Sequence, residues 1–345
     1  MTEGARDLAR ASVLLDLKRY DEVASLLARI VAAEPEHSRA WCLLAAAHLG
    51  AGRYEEAAAA AGRAVTLAPF DDWPYQLASS AQRHLGKITE AISLAEEACR
   101  LATDEWMAYI CLAQAKLTRK ADLPAAERAA VTALRLAPHE PDAHYTAGRV
   151  SYAQGKWKAA RAHQERALAL DPAHSGALNE LGWISLRRGG FPRAAWHFTL
   201  AARSAPGDSA YGENAEIPVA RVLVGVWLAV LMASVALPIA LLIHVPRGPA
   251  VLGYTLAIAL ATGYGAVQLW RMPPETRRLL RGHRAGRVLG ALYGAGLIEV
   301  ISVAMTPARA LRPVAIGYAT AFAFVLIALI ITITALLVSR AIRRR

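Results

Sequence analysis

Glu299 is the single charged residue in an apolar run spanning residues 288–305. An acid in such a setting is costly to ionise, and its chemistry is that of a proton carrier, a cation ligand or a buried pairing group. Three roles stand open: pairing with Arg309 or Arg312 near the outer end of its helix, movement of an ion or substrate, and recognition of a partner inside a bilayer. A second set lies just before it. Arg271, Arg277, Arg278, Arg281, Arg284 and Arg287 fall within one segment that holds a single acid, Glu275. Clustered guanidinium groups beside a membrane attract anionic lipid headgroups, at roughly 1 kcal/mol per cation. Gly286, Gly290 and Gly294 recur every four residues, which lays a flat strip along one helix face for close helix packing. Other chemistry is absent from the motifs. There is no P-loop, H-E-x-x-H or G-x-S-x-G. Cys42, Cys99 and Cys111 are odd in number and form no C-x-x-C, so a disulfide scaffold or cysteine zinc site is not expected. No cofactor is expected, and the chain is read as no enzyme by itself; an enzyme subunit that borrows its active site from a partner is a third reading.

These residues sit in the second part of the chain, whose composition differs from the first. Of the net charge of +11, residues 218–345 carry +12, from fourteen Arg and two acids, which leaves −1 for residues 1–217. A nucleic-acid-binding domain should itself be basic, so no nucleic acid is expected as a partner. Apolar runs occupy residues 222–245, 250–270, 288–305 and 314–338. At about 1.5 Å per residue they suit a hydrocarbon core of about 30 Å, the third being at the short limit. The expectation is a four-helix transmembrane domain over 218–345, joined through a polar link at 209–217. Eleven Arg lie on one side of the four runs, counting Arg221 and the tail residues Arg340, Arg343, Arg344 and Arg345; the other side holds only Arg247, Arg309 and Arg312. The cationic side stays cytoplasmic. Both termini and the first 208 residues are therefore expected inside, on a multi-pass protein of the cytoplasmic membrane; no signal-peptide core is seen at the start. Abundant Ala and Arg, with six Lys, suit a GC-rich bacterium.

The first part is periodic. Pro35, Pro69, Thr103, Pro138, Pro172 and Pro206 are spaced by 34, 34, 35, 34 and 34 residues. A period of this length indicates a solenoid of stacked units. Val23, Ala57, Ala91, Ala126, Ala160 and Ala194 stand twelve residues before these anchors, and Ile30, Ala64, Ala98, Ala133, Ala167 and Ala201 stand five before. Fifteen before are large side chains: Tyr20, Tyr54, Ile88, Leu123, Trp157 and Phe191. Gly52, Gly86, Gly155 and Gly189 precede four of these by two residues, where a turn between helices needs a permissive backbone. Each unit thus reads as helix, tight turn, helix, with small residues allowing close approach and the large one filling the gap by the turn. His139, Asp142 and His144 straddle a unit boundary, and no metal is expected there.

In this pattern the chain resembles the tetratricopeptide repeat family. Trp41-x-x-Leu44-Ala45, Leu178-x-x-Leu181-Gly182 and 167–172, Ala-Leu-Ala-Leu-Asp-Pro, carry the likeness, which covers residues 4–208 as six repeats; the first is weak, and the fourth has one extra residue near Lys120. The resemblance implies an all-α helical-hairpin solenoid whose first helices line a concave groove for a protein or peptide. On the fifth repeat's first helix, His144, Ala147, Gly148 and Ser151 are read as core, leaving Asp142, Tyr145, Arg149 and Tyr152 to the groove. The same phase selects Trp73, Gln76, Ser80 and Arg83, then Met107, Ile110 and Gln114, then Asn179, Trp183 and Leu186. Aromatics, amides and Arg are residue types that favour protein contact. The Lys and Asn arrangement with which some relatives hold a C-terminal carboxylate is not visible. The expected function is a membrane-anchored scaffold or adaptor that recruits a protein or peptide to a membrane complex, with homo-oligomers also open; the alternative is a subunit of an ion, solute or secretion system with the repeats as regulatory domain.

Overall fold

A computed structural model describes residues 3–242 and 247–276. Fourteen α-helices are seen among them: α1 Glu3–Asp16, α2 Tyr20–Ala33, α3 Ser38–Gly50, α4 Tyr54–Leu67, α5 Asp72–His84, α6 Ile88–Leu101, α7 Trp106–Lys116, α8 Leu123–Leu136, α9 Pro141–Ala153, α10 Trp157–Leu170, α11 Ser175–Arg187, α12 Phe191–Ser204, α13 Ser209–Leu242 and α14 Arg247–Trp270. They fall into two units that divide between Leu181 and Gly182, within α11.

The first unit is a stack of helical hairpins. The second helices α2, α4, α6, α8 and α10 begin at Tyr20, Tyr54, Ile88, Leu123 and Trp157, the large residues of the repeat. Along each, alanines two turns apart form the contact seam: Ala57 with Ala64, Ala91 with Ala98, Ala126 with Ala133 and Ala160 with Ala167 are all 0% exposed. The seven-residue spacing returns to the same helix face, and a methyl side chain lets the paired axes approach. Val23 takes the seam position in the first repeat. Odd-numbered helices from α1 to α9 pack beside one another in series, and α2, α4, α6 and α8 each wedge between their own partner and the next odd helix. Closer packing among the odd helices places them on the inner side of the array.

The turns repeat with the same precision. Gly52, Gly86 and Gly155 have φ between +74 and +78, and Lys18 holds the same phase at φ 58. Each sits one residue before an amide that bonds five residues back: Arg19 N to Leu14 O, Arg53 N to His48 O, Lys87 N to Gln82 O and Lys156 N to Ser151 O, all at 2.9 Å. This is the Schellman closure, which satisfies a carbonyl left open at the helix end and requires a left-handed residue. The extra residue of the fourth repeat replaces that turn with a short 3-10 helix, Lys120–Asp122.

A further phased contact was not among the expectations. Trp41 Nε1 donates to Pro35 O at 2.8 Å, Tyr75 Oη to Pro69 O at 3.2 Å, Tyr109 Oη to Thr103 O at 3.1 Å and His144 Nε2 to Pro138 O at 3.0 Å. Each donor lies six residues after its anchor and ties the inter-repeat turn to the next inner helix. The large residues also act between repeats. Tyr20 lies against Gly50, where a Cβ would run into its ring, and Tyr54 stacks on His84 one repeat further along, with centroids 4.3 Å apart.

The second unit corrects one boundary. The polar segment 209–217, expected as a link, is the opening of α13. Ala215 and Ile217 pack with Leu186, Trp183, Ala194 and Phe198, while Val219, Val222 and Leu223 join Phe191 and Ala195. The last hairpin helix would otherwise expose its apolar face, and a solenoid end needs a cover. One apolar residue per turn is enough for that, so a polar average hides a packed helix. Thr199 Oγ1 and Thr276 Oγ1 are 2.9 Å apart, which binds the segment after α14 to α12.

Counted over residues whose side chains are described, no helix is long and apolar enough to cross a membrane. Much of 222–245 and 250–270 falls in α13 and α14, with several side chains in both outside the described set. The runs 288–305 and 314–338, with Glu299, Gly286, Gly290, Gly294, Arg277, Arg278, Arg281 and Arg284, lie outside the described residues. Arg271 is described and is exposed just past the end of α14.

Candidate functional site on the inner helices

Three of the inner helices start from side-chain caps. Asp71 accepts from Trp73 N at 3.1 Å ahead of α5, Glu105 accepts from Met107 N at 3.2 Å ahead of α7, and His174 Nδ1 accepts from Ala177 N at 3.1 Å ahead of α11. Each cap takes one of the amides left open at a helix start and so sets where the following side chains point. Trp73, Ser80, Arg83, Met107, Gln114, Tyr145, Arg149, Tyr152 and Asn179 are all half-buried, as suits the wall of a groove.

Three expected groove residues are core instead. Gln76 is 6% exposed and bonds to Asp72, one turn earlier on its own helix. Ile110 is 3% exposed and joins a cluster with Ala133 and Ala143. Both stand seven residues after their anchors, on the flank where adjacent inner helices meet. Tyr145 and Asn179 share that register. The Tyr145 ring emerges only because it lies over Gly176, where a Cβ would strike it, and against the His174 ring at 4.9 Å. Leu186, in the second unit, is buried with Phe198 and Ala215. Trp183, in the same unit, meets Phe198 edge to face at 5.3 Å, so part of its ring is committed to packing. Of the four residues read as core in the fifth repeat, Ala147 and Gly148 are buried, with Gly148 closed over by Gln164, whereas His144 and Ser151 are half-buried; Thr146 and Val150 complete the core instead.

The histidine cluster near the fourth boundary is divided among separate partners. His144 bonds to Pro138 O, and Asp142 accepts from His174 Nε2 at 3.1 Å. Among the described residues no three His, Cys, Asp or Glu side chains are grouped to hold a metal.

Charge collects in one part of the inner face, and it was not visible in the sequence. Arg83 Nη2 lies 2.9 Å from His84 Nε2. Since guanidinium only donates, His84 accepts there and is neutral. Partial burial pushes the His84 pKa down to about 4, helped by the positive charges of Arg83 and Arg149. Burial also lowers Arg83, and Arg149 lowers it further. Arg149 stands over the Tyr145 ring at 5.7 Å and reaches Glu180 at 3.7 Å. Glu180 is itself raised, by burial against the opposing pull of Arg149. Cys111, on α7 between the two arginine-bearing helices, contacts Ser80 Oγ at 4.0 Å, and burial lifts its thiol to about 11. A thiol held so far from ionisation is a packing group rather than a nucleophile. Nothing in the helical spacing of Tyr54, His84, Cys111 and Glu180 links them; they meet through stacking of successive repeats.

Comparison with known proteins agrees with this architecture. Two stretches, residues 8–72 and 141–174, match family models described as tetratricopeptide repeat. The crystal structure of TTC0263, a thermophilic tetratricopeptide repeat protein in Thermus thermophilus, superposes with a TM-score of 0.50 at 20% identity, covering 52% of this chain and 98% of that one. A chain of the APC/C hetero-tetramer Cut9-Hcn1 gives 0.51 at 17% identity, covering 62% of this chain and 42% of its own length. No curated protein matches. At these identities the likeness is one of fold. Together with the phased seam, turns and anchors, it makes the repeat region of this chain a tetratricopeptide-type helical solenoid.

Proposed function

We propose that the chain is a membrane-tethered adaptor whose inner repeat face captures a protein or peptide and holds it at a membrane complex. The observation that carries the reading is the row of half-buried Trp73, Arg83, Met107, Gln114, Tyr145, Arg149 and Tyr152 along α5, α7 and α9. Aromatic, Met and Arg side chains on a rigid, inwardly curved support are the groups that dominate protein recognition.

The tether rests on sequence and on one surface feature. Residues 222–242 and 250–270 contain no charged side chain. Val224, Leu228 and Met232 on α13, and Leu256, Leu260, Tyr264 and Val267 on α14, are 46–67% exposed and recur at three- or four-residue intervals. Apolar ridges of this kind need a lipid or protein cover. Arg271 and the arginines that follow supply charge for anionic headgroups.

Reporter fusions test the topology. Fusions at residues 280 and 345 should report the cytoplasm and one at 247 the exterior; an exterior signal at 280 overturns the arrangement. For the adaptor role, full-length protein is purified in mild detergent with its partner. Replacing Met107 and Tyr152 with Ala should release the partner while helical content stays unchanged. Retention of the partner by that variant removes the groove from the account. A transport subunit is the second reading, and Glu299 within 288–305 is the residue that favours it.

A further inference from the structure

We infer that the α5–α7–α9 part of the inner face is a carboxylate-binding site that reads an Asp or Glu side chain of an extended partner peptide, with Arg83 and Arg149 as its donors. The inference rests on the adaptor reading and names the chemistry of its ligand. Three observations converge on it.

The first is a charge imbalance. Of the two guanidinium groups, Arg149 meets a carboxylate, Glu180, at 3.7 Å. Arg83 has no acidic partner among the described residues; its contact is the neutral ring of His84 at 2.9 Å. Arg83 is thus the guanidinium left without an ion pair, and one carboxylate would supply it. The second is burial. Both arginines are half-buried, and removal of water disfavours the charge on Arg83. An uncompensated, partly desolvated cation gains most from an incoming anion. The third is that both are held in place. The His84 ring that accepts from Arg83 is stacked on Tyr54 at 5° between planes, and Arg149 lies over Tyr145. A guanidinium fixed in this way presents its paired N–H groups to a carboxylate with little ordering left to do. Around them lie the Tyr145 ring and the Ser80–Cys111 contact, aromatic and small surfaces suited to an extended chain.

The test uses random dodecapeptides displayed through their C-termini, so that only side chains can supply the acid, panned on the full-length protein in mild detergent. Enriched sequences should share an Asp or Glu at one position. A synthetic, C-terminally amidated peptide of that sequence should bind about tenfold more tightly than its Asn or Gln counterpart. Arg83→Gln should abolish that preference, so that the acid and amide peptides bind alike, while the helical content stays unchanged. Arg83→Lys should restore part of it, because a point charge replaces the fork. Arg83 is the residue to change, since loss of Arg149 leaves the half-buried Glu180 unpaired. Enriched peptides without a shared acid, or an acid preference that survives Arg83→Gln, overturn the carboxylate site while the adaptor reading stands. Failure to enrich any sequence overturns peptide capture and this site with it.

Discussion

Gly62 and Gly86 are both exposed, and both have open space where a Cβ would stand, with nothing within 4 Å. The same substitution, Gly to Ala, therefore tests backbone conformation with no packing contribution. Gly62 lies inside α4, and Ala there is favoured over Gly by about 0.5–1 kcal/mol. Gly86 closes the turn between α5 and α6 at φ +78. An L-residue in that region costs roughly 1–2 kcal/mol, and the reduced freedom of the unfolded chain returns about 0.4–1 kcal/mol. The net is a loss of about 1 kcal/mol. The two variants should thus differ by nearly 2 kcal/mol in opposite directions from the parent. Urea unfolding followed by far-ultraviolet circular dichroism measures the signs. Amide hydrogen exchange localises them, since about 1 kcal/mol changes a local opening constant roughly fivefold. Shifts of the same sign in both variants, or no loss for Gly86→Ala, would refute the assignment of a left-handed turn shared by the repeats.

Lys18 occupies that turn position in the weak first repeat with φ 58; Lys18→Gly should stabilise α1 and α2 by about 0.5 kcal/mol, seen as slower exchange of their amides. His84 binds a proton near pH 6.5 when unfolded and near 4 when folded, so the unfolded chain holds more protons between those values and stability falls as pH drops from 6.5 toward 4. The His84→Gln variant should lose less over that window, and equal pH dependence in parent and variant would exclude a neutral imidazole held against Arg83. Glu299→Gln should express, assemble and capture its partner as the parent does, because an amide keeps the shape and can still accept a hydrogen bond; normal assembly with loss of all function would promote the transport reading.

The repeat is legible in the amino-acid sequence because the signals for it are local. A 34-residue recurrence, a large residue opening each second helix, an alanine seam two turns apart and a glycine before the turn are each properties of a few neighbouring positions. Six phased copies reinforce them. Lys18 shows that the backbone demand of the turn outlasts the residue best suited to it. The candidate site was less legible. Gln76, Ile110 and Tyr145 share one register, yet two are core and one emerges, because the register faces the seam between inner helices and only the size of the side chain and of its neighbour decides the outcome. The polar composition of 209–217 concealed a helix, since a cover for the solenoid end needs just one apolar residue per turn. The meeting of Tyr54, His84, Arg83, Arg149 and Glu180 required the tertiary structure outright. They belong to four repeats, and only stacking brings their charges close enough, and dry enough, to act on one another.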